Sequence, residues 1–345
     1  MNREAFSSEY ELEKRLLEKY KFSKEYAQKY QWKEHLSYTG EILPIAVFVN
    51  NNVMTSRLLG RMAWSHIRLT EFNRADILLS ESEEYDPWQA AANYFWAAEY
   101  CHRQIVGAAR HAGEYLDKFK KVYRQTDKTA PQEGSDLDLA ICFYERFILV
   151  EAETGYTLLS DEGRYHELLA RRDQNSEEYL RASDFYIKSN LPHYAACCVF
   201  YSDLISATNG TPQEKIKKLE KAKKVLDDND FPGDEHVRKI LSLYITTRIE
   251  IGNIIFELCS EKVDYRKIEK ILSEIKKNSS TEGDTLLTLG KKIVILSNKT
   301  EWKELINRLE NIGNVDGGDL DEISNLERKL IEIQKILPSY SFMIS

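Results

Sequence analysis

The sequence predicts an all-α protein of about 14 helices, arranged mostly as antiparallel pairs. Two observations carry this. Apolar residues return at steps of three and four along nearly all of the 345 residues, the spacing that gathers them on one face of a helix. Sustained period-two alternation, the mark of a strand, is absent outside the ambiguous run Leu43-Pro44-Ile45-Ala46-Val47-Phe48-Val49.

The elements follow from local signals. Asp86-Pro87-Trp88 starts a helix, with proline at the first position, where its missing N–H costs nothing. Thr126 to Ser135 (TDKTAPQEGS) has turn composition and no apolar anchor, so it reads as a loop, and Ser135 caps the helix holding Ala140 to Val150. Gly210 and Gly233 stand where the chain enters or leaves helices. Thr211-Pro212-Gln213-Glu214 is a capping box, and the helix behind it carries Ile216, Leu219, Ala222 and Leu226. Later stripes are Val237, Leu241, Tyr244, Ile251, Ile255, Leu258, then Tyr265 to Ile275, Leu286 to Leu296 and Trp302 to Leu309. Asn314 to Asp319 is a second loop. Ile323, Leu326, Leu330, Ile333 and Leu337, closed by Pro338, form a C-terminal capping helix.

Composition narrows the function classes. With 48 basic against 56 acidic residues the net charge is −8, which disfavours a nucleic-acid partner bound through counterion release. The five cysteines suit neither a disulfide framework nor a CxxC zinc pattern and read as reduced core residues. The N-terminus lacks the apolar core of a signal peptide, and Leu43 to Val49 falls far short of the roughly 20 residues that span a bilayer. The expectation is a cytoplasmic protein with no membrane partner and no cofactor.

Of 5 Trp, 20 Tyr and 13 Phe, only Phe231, Tyr244, Phe256, Tyr265, Trp302, Tyr340 and Phe342 follow residue 210. Aromatic side chains supply much of the recognition energy at interfaces, which favours residues 50 to 205 for any site. A larger core that uses larger side chains explains the same asymmetry.

The segment Ser176 to Leu226 resembles tetratricopeptide-type repeats. Within it, Ala182 is followed four residues later by Tyr186, three further on by Ser189, and then by the closing Pro192, like the second helix of such a repeat. His193-Tyr194-Ala195-Ala196-Cys197-Cys198-Val199-Phe200-Tyr201 presents small and aromatic residues in the style of a first helix, and the capped helix after Thr211 completes a pair. No constant period of 34 residues runs through the chain, so the array is degenerate. The resemblance implies an α-solenoid, a right-handed superhelix with irregular N-terminal helices, and a concave surface for a protein or peptide partner. The whole chain 1–345 is then one helical-repeat domain; a subdivision into an aromatic-rich part, 1–130, and repeats, 135–345, is the alternative. The family's binding residues find no matching set here.

GxxxxGK[ST], GxGxxG, HExxH and GxSxG are absent. Glu99-Tyr100-Cys101-His102 is a single ExxH, whereas a di-iron bundle needs two with further glutamates, so no metal site is expected. Arg61 and His66 have the Arg-x4-His spacing of a family of all-helical nucleotide-binding ribonucleases, with Arg steadying phosphate charge and His moving a proton. They are the catalytic alternative. Arg171-Arg172 and the lysines from Lys215 to Lys224 read as solvated faces. The leading expectation is a non-enzymatic adaptor, scaffold or regulatory subunit that holds its partner on Trp64, Arg68, Trp96, Tyr100, Arg103, Tyr186 and Tyr194.

Overall fold

The computed structural model describes residues 3–258 except 30, 105–108, 155–157 and 229–234, together with Lys270 and Ile331. Among the described residues there are twelve helices and no strand. They are α1 (Arg3–Gln28), α2 (Trp32–Phe48), α3 (Asn52–Arg68), α4 (Phe72–Tyr85), α5 (Pro87–Gln104), α6 (Ala109–Thr126), α7 (Asp136–Thr154), α8 (Leu159–Asp173), α9 (Ser176–Lys188), α10 (Pro192–Ser206), α11 (Pro212–Asp227) and α12 (Glu235–Leu258). Leu43 to Phe48 belong to α2, which carries Pro44 inside it, and Val49 caps that helix. The stripes after Leu258, the capping helix before Pro338 and the loop Asn314 to Asp319 lie outside the described residues, as does Gly233.

Helix starts use the predicted chemistry. Asp86 Oδ1 accepts the Gln89 N–H at 2.7 Å, and Ser135 Oγ accepts the Asp138 N–H at 3.1 Å. Thr211 and Glu214 form a reciprocal capping box. Each satisfies N–H groups that the first turn leaves open, an effect of about 1 kcal/mol per cap.

Four helix ends share one turn that the periodicity did not announce. Asn50, Thr70, Gln174 and Asn190 adopt left-handed backbone at φ 52°, 61°, 50° and 57°. The next residue returns its N–H to a carbonyl one turn back, Asn51 to Ala46 at 3.0 Å, Glu71 to His66 at 2.8 Å, Asn175 to Ala170 at 3.2 Å and Leu191 to Tyr186 at 2.8 Å. That residue is also the N-cap of the following helix. The C-terminal carbonyls are closed and the chain reverses within a few residues, as antiparallel hairpins require.

The packing divides the chain into two units, one running to Leu168 and one beginning at Leu169. In the first, α1 packs on α2, α2 on α3, α3 on both α4 and α5, and α5 on α4 and α6. Gly60 lets α3 approach α5, because a Cβ there would overlap the Asn93 side chain. Leu16, Tyr20, Ile42, Ala46, Met54 and Leu58 bury one apolar cluster. Trp88 and Phe95 of α5, Phe119 and Tyr123 of α6, and Phe143 and Phe147 of α7 form another, with ring centres in contact at 5.1 to 6.1 Å.

In the second unit each helix packs on the next, α9 on α10, α10 on α11 and α11 on α12. Buried Ala182 and Ala195 keep the first pair close, and Ser183 Oγ donates to the Ala195 carbonyl at 3.3 Å. Tyr179 and Tyr201 fill the space beside them with ring centres 5.7 Å apart. Lys218 Nζ and Arg248 Nη2 donate to the carbonyls of Ser206 and Ala207 at 2.7 and 3.4 Å, placing two cations at the negative end of α10.

Candidate functional site

The most unusual feature of the first unit is charge in its interior. Arg57 projects from the buried side of α3, 4% exposed, amid Met54 and Leu58. A guanidinium removed from water must have its donors satisfied. Arg57 Nε donates to Gln89 Oε1 at 2.7 Å, and Gln89 Nε2 donates to Asn93 Oδ1 at 3.1 Å. Asn93 Nδ2 in turn donates to the Ser56 carbonyl at 2.8 Å. This is the crossing that Gly60 makes possible. On the other side Arg57 Nη2 donates to Glu151 Oε1 of α7 and stands 3.6 Å from Asp161 Oδ2 of α8.

The two carboxyl groups compete for one cation. Burial, then the neighbouring Asp161 charge, hold the Glu151 carboxyl well above the ordinary carboxylate range, against the pull of Arg57. A hydrogen bond to Asp161 favours the protonated form further. Burial alone would ease the proton off Arg57, but Glu151 and Asp161 outweigh it and keep the guanidinium charged.

The network extends in two directions. Toward α5, buried Trp96 donates its indole N–H to Tyr144 Oη and lies under the Arg164 guanidinium at 3.9 Å, while Arg164 Nη1 pairs with Glu167 at 3.2 Å. Burial pushes the Tyr144 hydroxyl far up, so it remains a neutral partner. Toward α1 and α2, Arg61 Nε donates to Tyr20 Oη at 2.9 Å, and His35 Nδ1 meets Ser65 Oγ at 2.6 Å. Burial, then Arg61, depress the His35 imidazole to about 3, which makes it neutral. Burial and the same Arg61 depress the Lys24 ammonium to about 7.

No protein-family model matches this chain, and no curated protein matches it.

The sequence-derived candidates fall in both units. Trp64 is half-buried, donates its indole N–H to the Asn93 carbonyl at 3.2 Å and carries Arg61 over its ring at 5.8 Å. Arg68 is half-buried with its guanidinium 4.9 Å from the Trp32 ring. Trp96, 5% exposed, belongs to the packed interior, because its ring is shared between Tyr144 and Arg164. The side chains of Tyr100 and Arg103, and of His102 in the ExxH motif, lie outside the described residues. Tyr186 is fully buried and touches half-buried Tyr194 with ring centres 5.2 Å apart, both in the second unit.

Arg61 and His66 are not directed at a common point. Five residues place them about 140° apart around α3. Arg61 reaches back to Tyr20, whereas His66 Nδ1 contacts Glu71 Oε2 at 2.6 Å. Among the described residues no three His, Cys, Asp or Glu side chains converge in a way that would hold a metal ion, and no helix is long and apolar enough to cross a membrane.

Sequence reasoning missed Arg57, Glu151, Asp161, Lys24 and His35. A signal existed for two of them. Arg57 interrupts an apolar stripe, and Glu151 falls four and seven residues after Phe147 and Tyr144, where a core position is due. A charge on a buried stripe announces a partner without saying which.

Proposed function

We propose that the protein is a non-enzymatic adaptor, scaffold or regulatory subunit, built in its second unit on tetratricopeptide-like helix pairs, that holds a protein or peptide partner. The carrying observation is that α9 to α12 stack in chain order while apolar side chains remain outside: Leu180 and Ile187, 48% and 61% exposed, lie seven residues apart on α9 and so on one face. Apolar groups at helical spacing on an outer face mark contact surface. Tyr194 extends the aromatic part of that unit. The closed interior of the first unit also favours binding over catalysis, because Arg57 and Glu151 are too deeply buried to meet a substrate.

The test is affinity capture with the full chain against the folded Leu180→Ser/Ile187→Ser variant. A protein retained in stoichiometric amount by the wild type and at least tenfold less by the variant supports the reading. Equal retention removes it from α9. RNA cleavage by the wild type that disappears in His66→Ala would instead establish the enzyme alternative.

A further inference from the structure

Among the described residues, two cations at the edge of the buried network have no ion-pair partner. Lys24 Nζ makes neither a hydrogen bond nor an ion pair with any described residue, and it stands 5.2 Å from the centroid of the Tyr20 ring. Arg61 places its guanidinium carbon 4.7 Å from the same ring. Its Nε is bound to Tyr20 Oη, and among the described residues neither terminal nitrogen has a hydrogen-bond partner. Both side chains are half-buried, so each retains a path to solvent. They share one aromatic ring and crowd each other electrically.

The surrounding groups do not relieve this crowding. Lys24 feels Arg61, Arg57 and Lys21 as repulsion and only Asp161 as attraction, and the Arg61 repulsion is the stronger. Asp161 is already drawn toward Arg57 at 3.6 Å. His35, near Arg61 on α2, is neutral. Unpaired positive charge gathered at a half-buried edge is costly unless an anion completes it. The guanidinium fork matches oxyanion geometry, and the ammonium adds a point charge beside it.

We propose that Lys24 and Arg61 together bind a phosphate group, whose two negative charges match the two unpaired cations. The phosphate is either free or carried as a phosphomonoester on a small molecule, with the Tyr20 ring in contact with both cationic side chains. This site is independent of the partner surface on α9.

The test is calorimetric titration of the full chain with inorganic phosphate, with phosphoserine and with acetate, at constant ionic strength. Phosphate is expected to bind saturably. Arg61→Gln and Lys24→Met each weaken it at least tenfold, while Lys21→Met, one turn aside and exposed, changes it less than twofold. Phosphoserine binding as well as phosphate identifies the monoester as the source; phosphate alone identifies the free ion. Bound phosphate also moves the Lys24 titration, followed by competitive amine labelling, upward toward that of an ordinary lysine. Lys24→Met lies at the edge and keeps the test decisive should Arg61→Gln disturb the fold. Absence of saturable phosphate binding, equal weakening by Lys21→Met, or acetate binding as tightly as phosphate would each overturn the proposal.

Discussion

In the first unit, helices meet over charge: an arginine, a glutamate and an aspartate from α3, α7 and α8 share an interior with Gln89 and Asn93 of α5. In the second, α9 and α10 meet over tyrosines, alanines and a serine that reaches a backbone carbonyl. The distinction is one of tolerance. A tyrosine and alanine interface loses contact area in proportion to what is removed. A buried ion network fails abruptly, because deleting one member leaves the others charged and unpaired. The two units should therefore answer different perturbations, and segment-resolved hydrogen exchange in the full chain can read them separately.

The largest contrast is expected from Arg57→Met. The variant keeps the apolar stem of the side chain and removes the cation that Glu151 and Asp161 share. The first unit should lose roughly 3–5 kcal/mol, the cost of stranding buried charge, while exchange protection in α9 to α11 stays as in the wild type. Loss of protection spread evenly over both units would break the comparison.

Gly60→Ala should come next. The added methyl overlaps the Asn93 side chain, which must move and release Gln89, and with it the Arg57 Nε bond. Overpacking of this kind costs about 1–3 kcal/mol, and the loss should again be confined to the first unit. A Gly60→Ala protein as stable as the wild type would show that α3 and α5 can separate without disturbing the network.

Much of this architecture was open to sequence reading. The helical class, the caps at Asp86, Ser135 and Thr211, and the loop between α6 and α7 follow from spacing and from short-range chemistry within a few residues. The hairpin turns at Asn50, Thr70, Gln174 and Asn190 did not, because a left-handed residue other than glycine is permitted by its tertiary surroundings and carries no strong signature. The ion network was out of reach for a related reason. Arg57 and Glu151 are 94 residues apart, and no periodicity relates a charge on one helix to its partner on another. The aromatic residues show the converse error. Their abundance before residue 211 suited a core at least as well as a surface, and Trp96, Phe143 and Tyr186 went inside, where large rings fill the gaps between helices that cross.

The smallest effect separates the charge of Glu151 from its shape. Burial and Asp161 raise the proton affinity of this carboxyl in the folded state. A raised folded value means that the native chain holds a proton the unfolded chain has given up. The resulting stabilisation is complete below the ordinary carboxylate range and is lost as pH rises through the raised folded value. Taken alone, this term weakens the first unit over that interval as pH rises. Two other groups act with the opposite sign within it and beyond it. His35, depressed to about 3, costs stability as pH falls below its ordinary value of 6.5, and Lys24, depressed to about 7, imposes a cost that fades as pH climbs toward 10.5. Both oppose Glu151 between 6.5 and 7, so its contribution is read as the difference between the wild-type profile and that of a variant lacking only this carboxyl. Glu151→Gln supplies a neutral group of the same shape, still able to accept from Arg57 and donate to Asp161, so its stability at pH 6.5 should lie within about 1 kcal/mol of the wild type. Chemical denaturation across this interval should show the wild type losing stability relative to the variant as pH rises. A difference between the two that stays constant with pH would mean that the proton taken up on folding resides elsewhere, and a large loss at pH 6.5 would mean that Glu151 is bound as a carboxylate and that Arg57 needs both negative charges.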